Sequence, residues 1–251
     1  MPDHSALTDA DLAATLAVQA GHLLMHIRSD SGLSGTALGD AGDRQANDLI
    51  LAALARHRPG DAILSEESAD SGDRLGAERV WIIDPLDGTR EYRQGRDDFA
   101  VHVGLSVNGA PAVGAVGLPP RDIVLRSDTP PALPAEAAKL RIATSRTRPA
   151  PIAAAIARRV GAECVRIGSA GAKTAAVILG QADAYIHTGE QSEWDNCAPV
   201  AVALAAGLHC SRIDGSPLRY NRRNVIVPDL LICHRHRAAQ FIALAREESG
   251  G

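Results

Sequence analysis

The chain has 251 residues, enough to bury a substantial core as one large or two small domains. Hydrophobic residues make up 45% and charged residues 22%, the balance of a soluble globular protein, and 3% aromatics leaves the core to Ala, Val, Leu and Ile. Lys and Arg number 26 against 30 Asp and Glu, a net charge of −4, which argues against a binder of nucleic acid polymers but not against a small anionic substrate.

Thr8-Asp9-Ala10-Asp11 has the form of a capping box with Asp in place of Glu. Leu12, Leu16, Leu23 and Ile27 recur at helical spacing, so an amphipathic helix is predicted over 9–28. Residues 29–42, rich in Gly, Ser and Asp, read as a loop, with a second helix starting at Asp43 or Arg44 and ending at Arg58-Pro59-Gly60. Ala62-Ile63-Leu64 is a short strand running into Ser65-Glu66-Glu67. The next strand, Val80 to Ile83, delivers Asp84 to its end. Pro85 then stops strand pairing because it has no N–H to donate.

Phe99, Val101, Val103, Leu105 and Val107 alternate as a strand, Asn108-Gly109 is a strong hairpin signal, and 113–118 would return. The prolines of 119–136 mark a boundary between halves, 1–135 and 136–251. Beyond it strands (140–143, 165–167, 184–187, 230–233) alternate with helices (150–160, 171–180, 196–206, 237–247), the pattern of a mixed sheet covered by helices.

The N-terminus, with Asp3, Asp9 and Asp11, lacks the basic region and apolar run of a leader, and no stretch is long and apolar enough to span a bilayer. Cys164, Cys197, Cys210 and Cys233 show neither a C-x-x-C nor a zinc-like spacing. They read as reduced thiols, and the cytoplasm is the expected compartment.

Chemistry concentrates in residues 80–91. Asp84 and Asp87 leave a strand at one turn and can converge, and Gly88-Thr89 follows with backbone amides that can face an anion. Two adjacent carboxylates repel unless a cation offsets them, so this pair points to a hard metal ion beside a phosphate. Taken alone, Glu66 reads as a solvated loop acid and Asp195 as the cap of the helix that follows it, with Pro199 in the first turn. His102 and His187 fall in strand patterns and read as packed histidines.

Three segments in order, Ser65-Glu66-Glu67-Ser68, Asp84-Pro85-Leu86-Asp87-Gly88-Thr89 and Trp194-Asp195-Asn196-Cys197-Ala198, resemble the signatures of the magnesium-dependent, lithium-sensitive phosphatases. That family includes inositol monophosphatases, fructose-1,6-bisphosphatases and bisphosphate nucleotidases. Arg90-Glu91-Tyr92 departs from the T-N-F continuation of inositol monophosphatases and is similar to the [KR]-E-F of the CysQ-type 3′-phosphoadenosine 5′-phosphate phosphatases. Gly168-Ser169 to Lys173 and Pro217 to Asn221 also resemble that branch, especially its actinobacterial members.

The resemblance implies an α/β (mixed α+β) fold, a layered αβαβα sandwich. It implies two or three Mg²⁺ held by Glu66, Asp84, the Leu86 carbonyl, Asp87 and Asp195. Thr89, bonded to Asp43, would orient the attacking water with help from Glu66, and the Gly88 and Thr89 amides would hold the phosphoryl oxygens. Ser169 would approach the sugar or base, and Arg219 and Tyr220 the distal phosphate and adenine; Lys173, Arg146 and Arg148 are weaker candidates. The implied reaction removes the 3′-phosphate of 3′-phosphoadenosine 5′-phosphate or its sulfated form. Inositol phosphate or fructose 1,6-bisphosphate hydrolysis is the alternative on the same machinery. A non-catalytic nucleotide or metal sensor would predict a damaged acid set, and this one is complete. The resemblance allows a homodimer, for which no interface is legible.

Overall fold

A computed structural model describes residues 7–249; Asp3 lies outside them. Helix α1 (Asp9–Asp30) begins as its capping signal predicts: the Thr8 side chain accepts from the Asp11 amide at 3.1 Å. Helix α2 (Gly35–His57) starts well before the predicted Asp43, so only residues 31–34 of the expected 29–42 loop are loop. The glycines that suggested a loop have another cause. A side chain at Gly39 would put its Cβ 2.9 Å from the Thr89 methyl and 2.7 Å from Arg93, so glycine lets α2 cross close to that segment. Asp43 consequently sits in mid-helix rather than at a helix start.

The first sheet, in order β1-β2-β3-β4-β5, comprises β1 (Ala62–Ser65), β2 (Arg79–Asp87), β3 (Ala100–Val107), β4 (Ala110–Leu118) and β5 (Ile123–Arg126). Only β1–β2 is parallel. Asn108 and Gly109 both take positive φ, 51° and 74°, as a two-residue hairpin turn of the primed type requires. Strand β5 lies within the stretch expected to be proline-rich boundary. After the five-residue helix α3 (Thr89–Arg93), the later elements are β6 (Arg141–Ser145), α4 (Pro151–Val160), β7 (Glu163–Ile167), α5 (Ala170–Ile178), β8 (Ala184–Ser192), α6 (Glu193–Ala205), β9 (His209–Ser211), β10 (Ile226–Cys233) and α7 (Ala238–Ser249). They form a second sheet ordered β7-β6-β8-β10-β9, in which the three-residue β9 is too short to show a sequence pattern.

Alternation along the strands builds the layers. Trp81 and Ile83 of β2 pack with Leu12, Leu16 and Leu24 of α1 and Ile50 and Leu54 of α2. Val80 and Ile82 face the other way, onto Val177 of α5, Val200 of α6 and, beyond them, Tyr185 and Ile232 of the second sheet. The outer face of that sheet carries Ile186 and Leu231 against Ile156 of α4 and Phe241 of α7. The result is an αβαβα sandwich whose middle layer, α5 and α6, is shared by both sheets. Each fully buried aliphatic side chain in it contributes about 1.5–3 kcal/mol. No helix among the described residues is long and apolar enough to cross a membrane.

Candidate active site

Asp84 and Asp87 are three positions apart, so an unbroken strand would point them to opposite faces. The pairing solves this. Asp84 lies opposite His102 and Asp87 opposite Ala100, three steps on β2 against two on β3. Pro85 therefore interrupts the ladder without ending it; the extra residue is a β-bulge that re-aims the side chains. Asp84, Asp87 and Asp195 each bring an oxygen within 4.8 Å of the others.

Asp195 comes from α6, which starts at Glu193 rather than 196. It is the third helical residue, and its carboxylate accepts from the Ser192 amide at 2.5 Å, so it caps the helix and joins the cluster at once; Pro199 falls in the second turn. Glu66 follows β1; it stands outside the group of three aspartates but near enough to interact with Asp84. Asp43, on α2, accepts from the Thr89 hydroxyl at 3.3 Å; the same hydroxyl lies 3.2 Å from the Leu86 carbonyl, and its single proton serves one acceptor at a time. Gly88, at φ 94°, turns the chain from β2 into α3.

Crowded carboxylates resist ionisation. Burial, then Glu66 and Asp87, hold Asp84 well above the ordinary range. Burial and then Asp195 raise Glu66 to about 7; burial and then Asp87 raise Asp195 to about 6; burial and then Glu67 raise Asp43 to about 7. Asp87 is the exception: burial works against its charge but is outweighed by His102, Lys173 and the Gly171 amide, which keep it below its usual value. An all-oxygen, anionic donor set of this kind suits Mg²⁺, and a dication would relieve the repulsion.

Asp87 and Asp195 of the cluster line a cavity of about 410 Å³, with Gly88, Thr89, Arg90, Arg148, Ser169, Lys173, His187 and Gln191. A larger cleft, about 650 Å³, lies by Gln94, Arg121 and Arg146 and contains none of the clustered acids, which makes the smaller one the candidate site. Ser169 lines the cavity, but its hydroxyl also caps α5 by accepting from the Ala172 amide at 2.9 Å. Arg146 is turned away, paired with Asp98 and Glu91.

Arg219 and Tyr220 are not brought to this cavity. Tyr220 is buried, and its hydroxyl donates to Asn196 at 2.9 Å. Arg219 lines a separate groove with Arg212 and Arg222. Leu218 and Tyr220 alternate inward and leave Arg219 outside.

Several groups were underrated by pattern alone. Lys173 is buried rather than on a helix surface: its ammonium donates to the Gly168 and Ser169 carbonyls at 2.6 and 2.7 Å, and burial lowers it to about 8. His187 Nε2 and Gln191 Oε1 are buried without partners among the described residues, and both residues line the cavity. Burial, helped by Lys173 and Arg148, lowers His187 to about 4 and keeps it neutral.

The inositol monophosphatase family model matches residues 8–249. A 3′-phosphoadenosine 5′-phosphate phosphatase of Mycobacterium leprae is 51% identical over 96% of this chain and 94% of its own length. The 3′(2′),5′-bisphosphate nucleotidase CysQ of Escherichia coli is 30% identical over 73% of this chain and 79% of its own. Among solved structures, CysQ from Bacteroides thetaiotaomicron, a bacterial member of the inositol monophosphatase family, superposes with a TM-score of 0.80 at 25% identity, over 90% of this chain and 97% of that one. The chain belongs to the inositol monophosphatase family.

Proposed function

We propose that this protein is a Mg²⁺-dependent phosphatase that hydrolyses the 3′-phosphate of 3′-phosphoadenosine 5′-phosphate, and of its sulfated counterpart. The observation that carries the reading is the composition of one cavity: its lining includes Asp87 and Asp195 of the carboxylate cluster, Arg90, Arg148 and Lys173, and His187 and Gln191, each of which has one buried polar atom without a partner among the described residues. A nucleotide with two phosphate groups and a hydrogen-bonding base fits that inventory better than a small polyol monophosphate.

Glu66, Asp84, the Leu86 carbonyl, Asp87 and Asp195 would hold two or three Mg²⁺. The bound ions would neutralise phosphoryl charge and lower the pKa of a water toward neutrality. Thr89, whose hydroxyl donates to Asp43, would orient the attacking water and take its proton while passing its own to Asp43, and Glu66 would help position the water. The amides of Gly88 and Thr89 would hold the phosphoryl oxygens, with Ser169 beside Gly88 approaching the sugar or base. Arg148 takes the part first given to Arg219, pairing with the distal phosphate, and His187 and Gln191 address the base edge in place of Tyr220. Residues 1–135 would supply most of the metal ligands and 136–251 would complete the site.

Phosphate release with Mg²⁺ on 3′-phosphoadenosine 5′-phosphate, inositol 1-phosphate and fructose 1,6-bisphosphate tests the reading. The nucleotide should lead in kcat/KM by at least tenfold. A flat profile or an inositol preference would overturn the substrate assignment and leave the hydrolytic one standing. No release from any of them would overturn both.

A further inference from the structure

Behind the carboxylates, β3 places an imidazole on the face that otherwise carries only small residues, Ala100, Gly104 and Ser106. His102 lies on the face of the strand shared with Ala100 and is wholly buried. Its Nδ1 is 3.0 Å from the carbonyl of Trp194, the residue before Asp195, and 3.9 Å from Asp84 Oδ2. Its Nε2 is 3.2 Å from Asp87 Oδ2, within ion-pair distance but off the line of a hydrogen bond, and has no other partner. One ring thus touches every segment that contributes to the carboxylate cluster.

The surroundings are fitted to that ring. Gly171 leaves it room: a Cβ there would lie 2.2 Å from Nε2. The Gly171 amide donates to the same Asp87 Oδ2 at 2.6 Å. Oδ2 of Asp87 is therefore the oxygen that both protein groups contact, the Gly171 amide by a hydrogen bond and the imidazole by proximity. A carbonyl only accepts, so Nδ1 carries a proton toward Trp194. A buried imidazole with one nitrogen poorly satisfied costs stability that a valine or leucine of similar reach would not. The core does not account for His102; the site in front of it does.

We propose that His102 is a positioning residue for the divalent cation: it fixes which oxygen of Asp87 faces the ion and ties the Trp194–Asp195 turn to that carboxylate. The inference rests on the metal-site reading above. Groups behind ligating carboxylates commonly control metal affinity by 10–100-fold.

Glutamine and asparagine separate the two contacts, since glutamine reaches about as far as Nε2 and asparagine about as far as Nδ1. Mg²⁺ binding without substrate is measured by calorimetry on the full chain and on His102→Gln, His102→Asn and His102→Leu, with the metal-free melting temperature of each as the control for folding. The expected result is that Asn and Leu weaken Mg²⁺ binding by roughly 10–100-fold while Gln stays within a few-fold of the unaltered chain. Unchanged binding in Asn and Leu overturns the proposal. So does a loss in Gln as large as in Leu, which would make His102 a packing residue. An unaltered chain that binds no Mg²⁺ at all would instead overturn the metal-site reading, and this inference with it.

Discussion

The two ends of strand β2 use aspartate in opposite ways. At its start, Arg79 bonds both oxygens of Asp61 at 2.8 and 2.9 Å and reaches Asp9 at 2.9 Å; Arg58 holds Asp9 at 2.6 Å, and the Trp81 indole donates to Asp61 at 2.8 Å. Burial works against the charge on Asp9, but the arginine bonds prevail and hold it below its ordinary value. At the other end Asp84 has no guanidinium, and burial with its acidic neighbours drives it the other way. One end is neutralised from within and needs nothing further. The other is incomplete without a cation from solution.

Four experiments can break or sharpen that contrast. The largest effect is expected from Asp84→Asn. Turnover should fall roughly a thousand-fold, equivalent to about 4 kcal/mol of transition-state stabilisation. The metal-free melting temperature should hold or rise, because a repelling charge is removed. Near-normal activity would end the assignment of Asp84 to the metal site.

Next comes pH. Asp43, Glu66 and Asp195 have folded-state values of about 6 to 7, above their ordinary values. The folded state then binds more protons than the unfolded one between roughly pH 4 and 7, so metal-free stability declines as pH rises through that window. Mg²⁺ at a hundredfold excess over its Kd should restore roughly 5–10 °C of melting temperature at pH 8 and less at pH 5, where protons compete. A Mg²⁺ effect independent of pH would contradict the origin given for the raised values.

Arg79→Ala probes the self-sufficient end. Arg79 is partly exposed, so the expected loss is about 1 kcal/mol, with kcat unchanged and no altered response to Mg²⁺. A changed Mg²⁺ dependence would mean that the two ends are coupled along the strand. The smallest effect should come from Tyr220→Phe: about 1 kcal/mol from the bond to Asn196 and no more than a twofold change in KM for the nucleotide. A tenfold rise in KM would return Tyr220 to the substrate.

What sequence revealed follows the same division. Carboxylates at element ends, the Thr8 cap and the Asn108-Gly109 turn are local patterns, and each appears where its chemistry requires. The start of α2 was hidden because Gly39 looks like a loop residue unless the neighbouring Thr89 is visible. His102 is buried in the sheet as its strand pattern predicts, but its contact with the carboxylates was not legible, because the register that sets it opposite Asp84 is a long-range property of β2 and β3. The displacement of Arg219 and Tyr220 from the cavity depends on which way a short extended segment alternates, and composition cannot tell one parity from the other.

The bulge between Asp84 and Asp87 carries that last point further. It makes the site depend on a count as well as on chemistry. With two residues between the aspartates and one extra step against β3, both carboxylates share a side. Remove a single residue from the interval and the ladder closes regularly, but register is then kept at the cost of the Leu86 carbonyl, which now escapes pairing with β3 and bonds Thr89. At this place a deletion would spare the alternation of the neighbouring side chains and abolish only what the bulge itself provides, a carbonyl freed from the ladder beside the carboxylates.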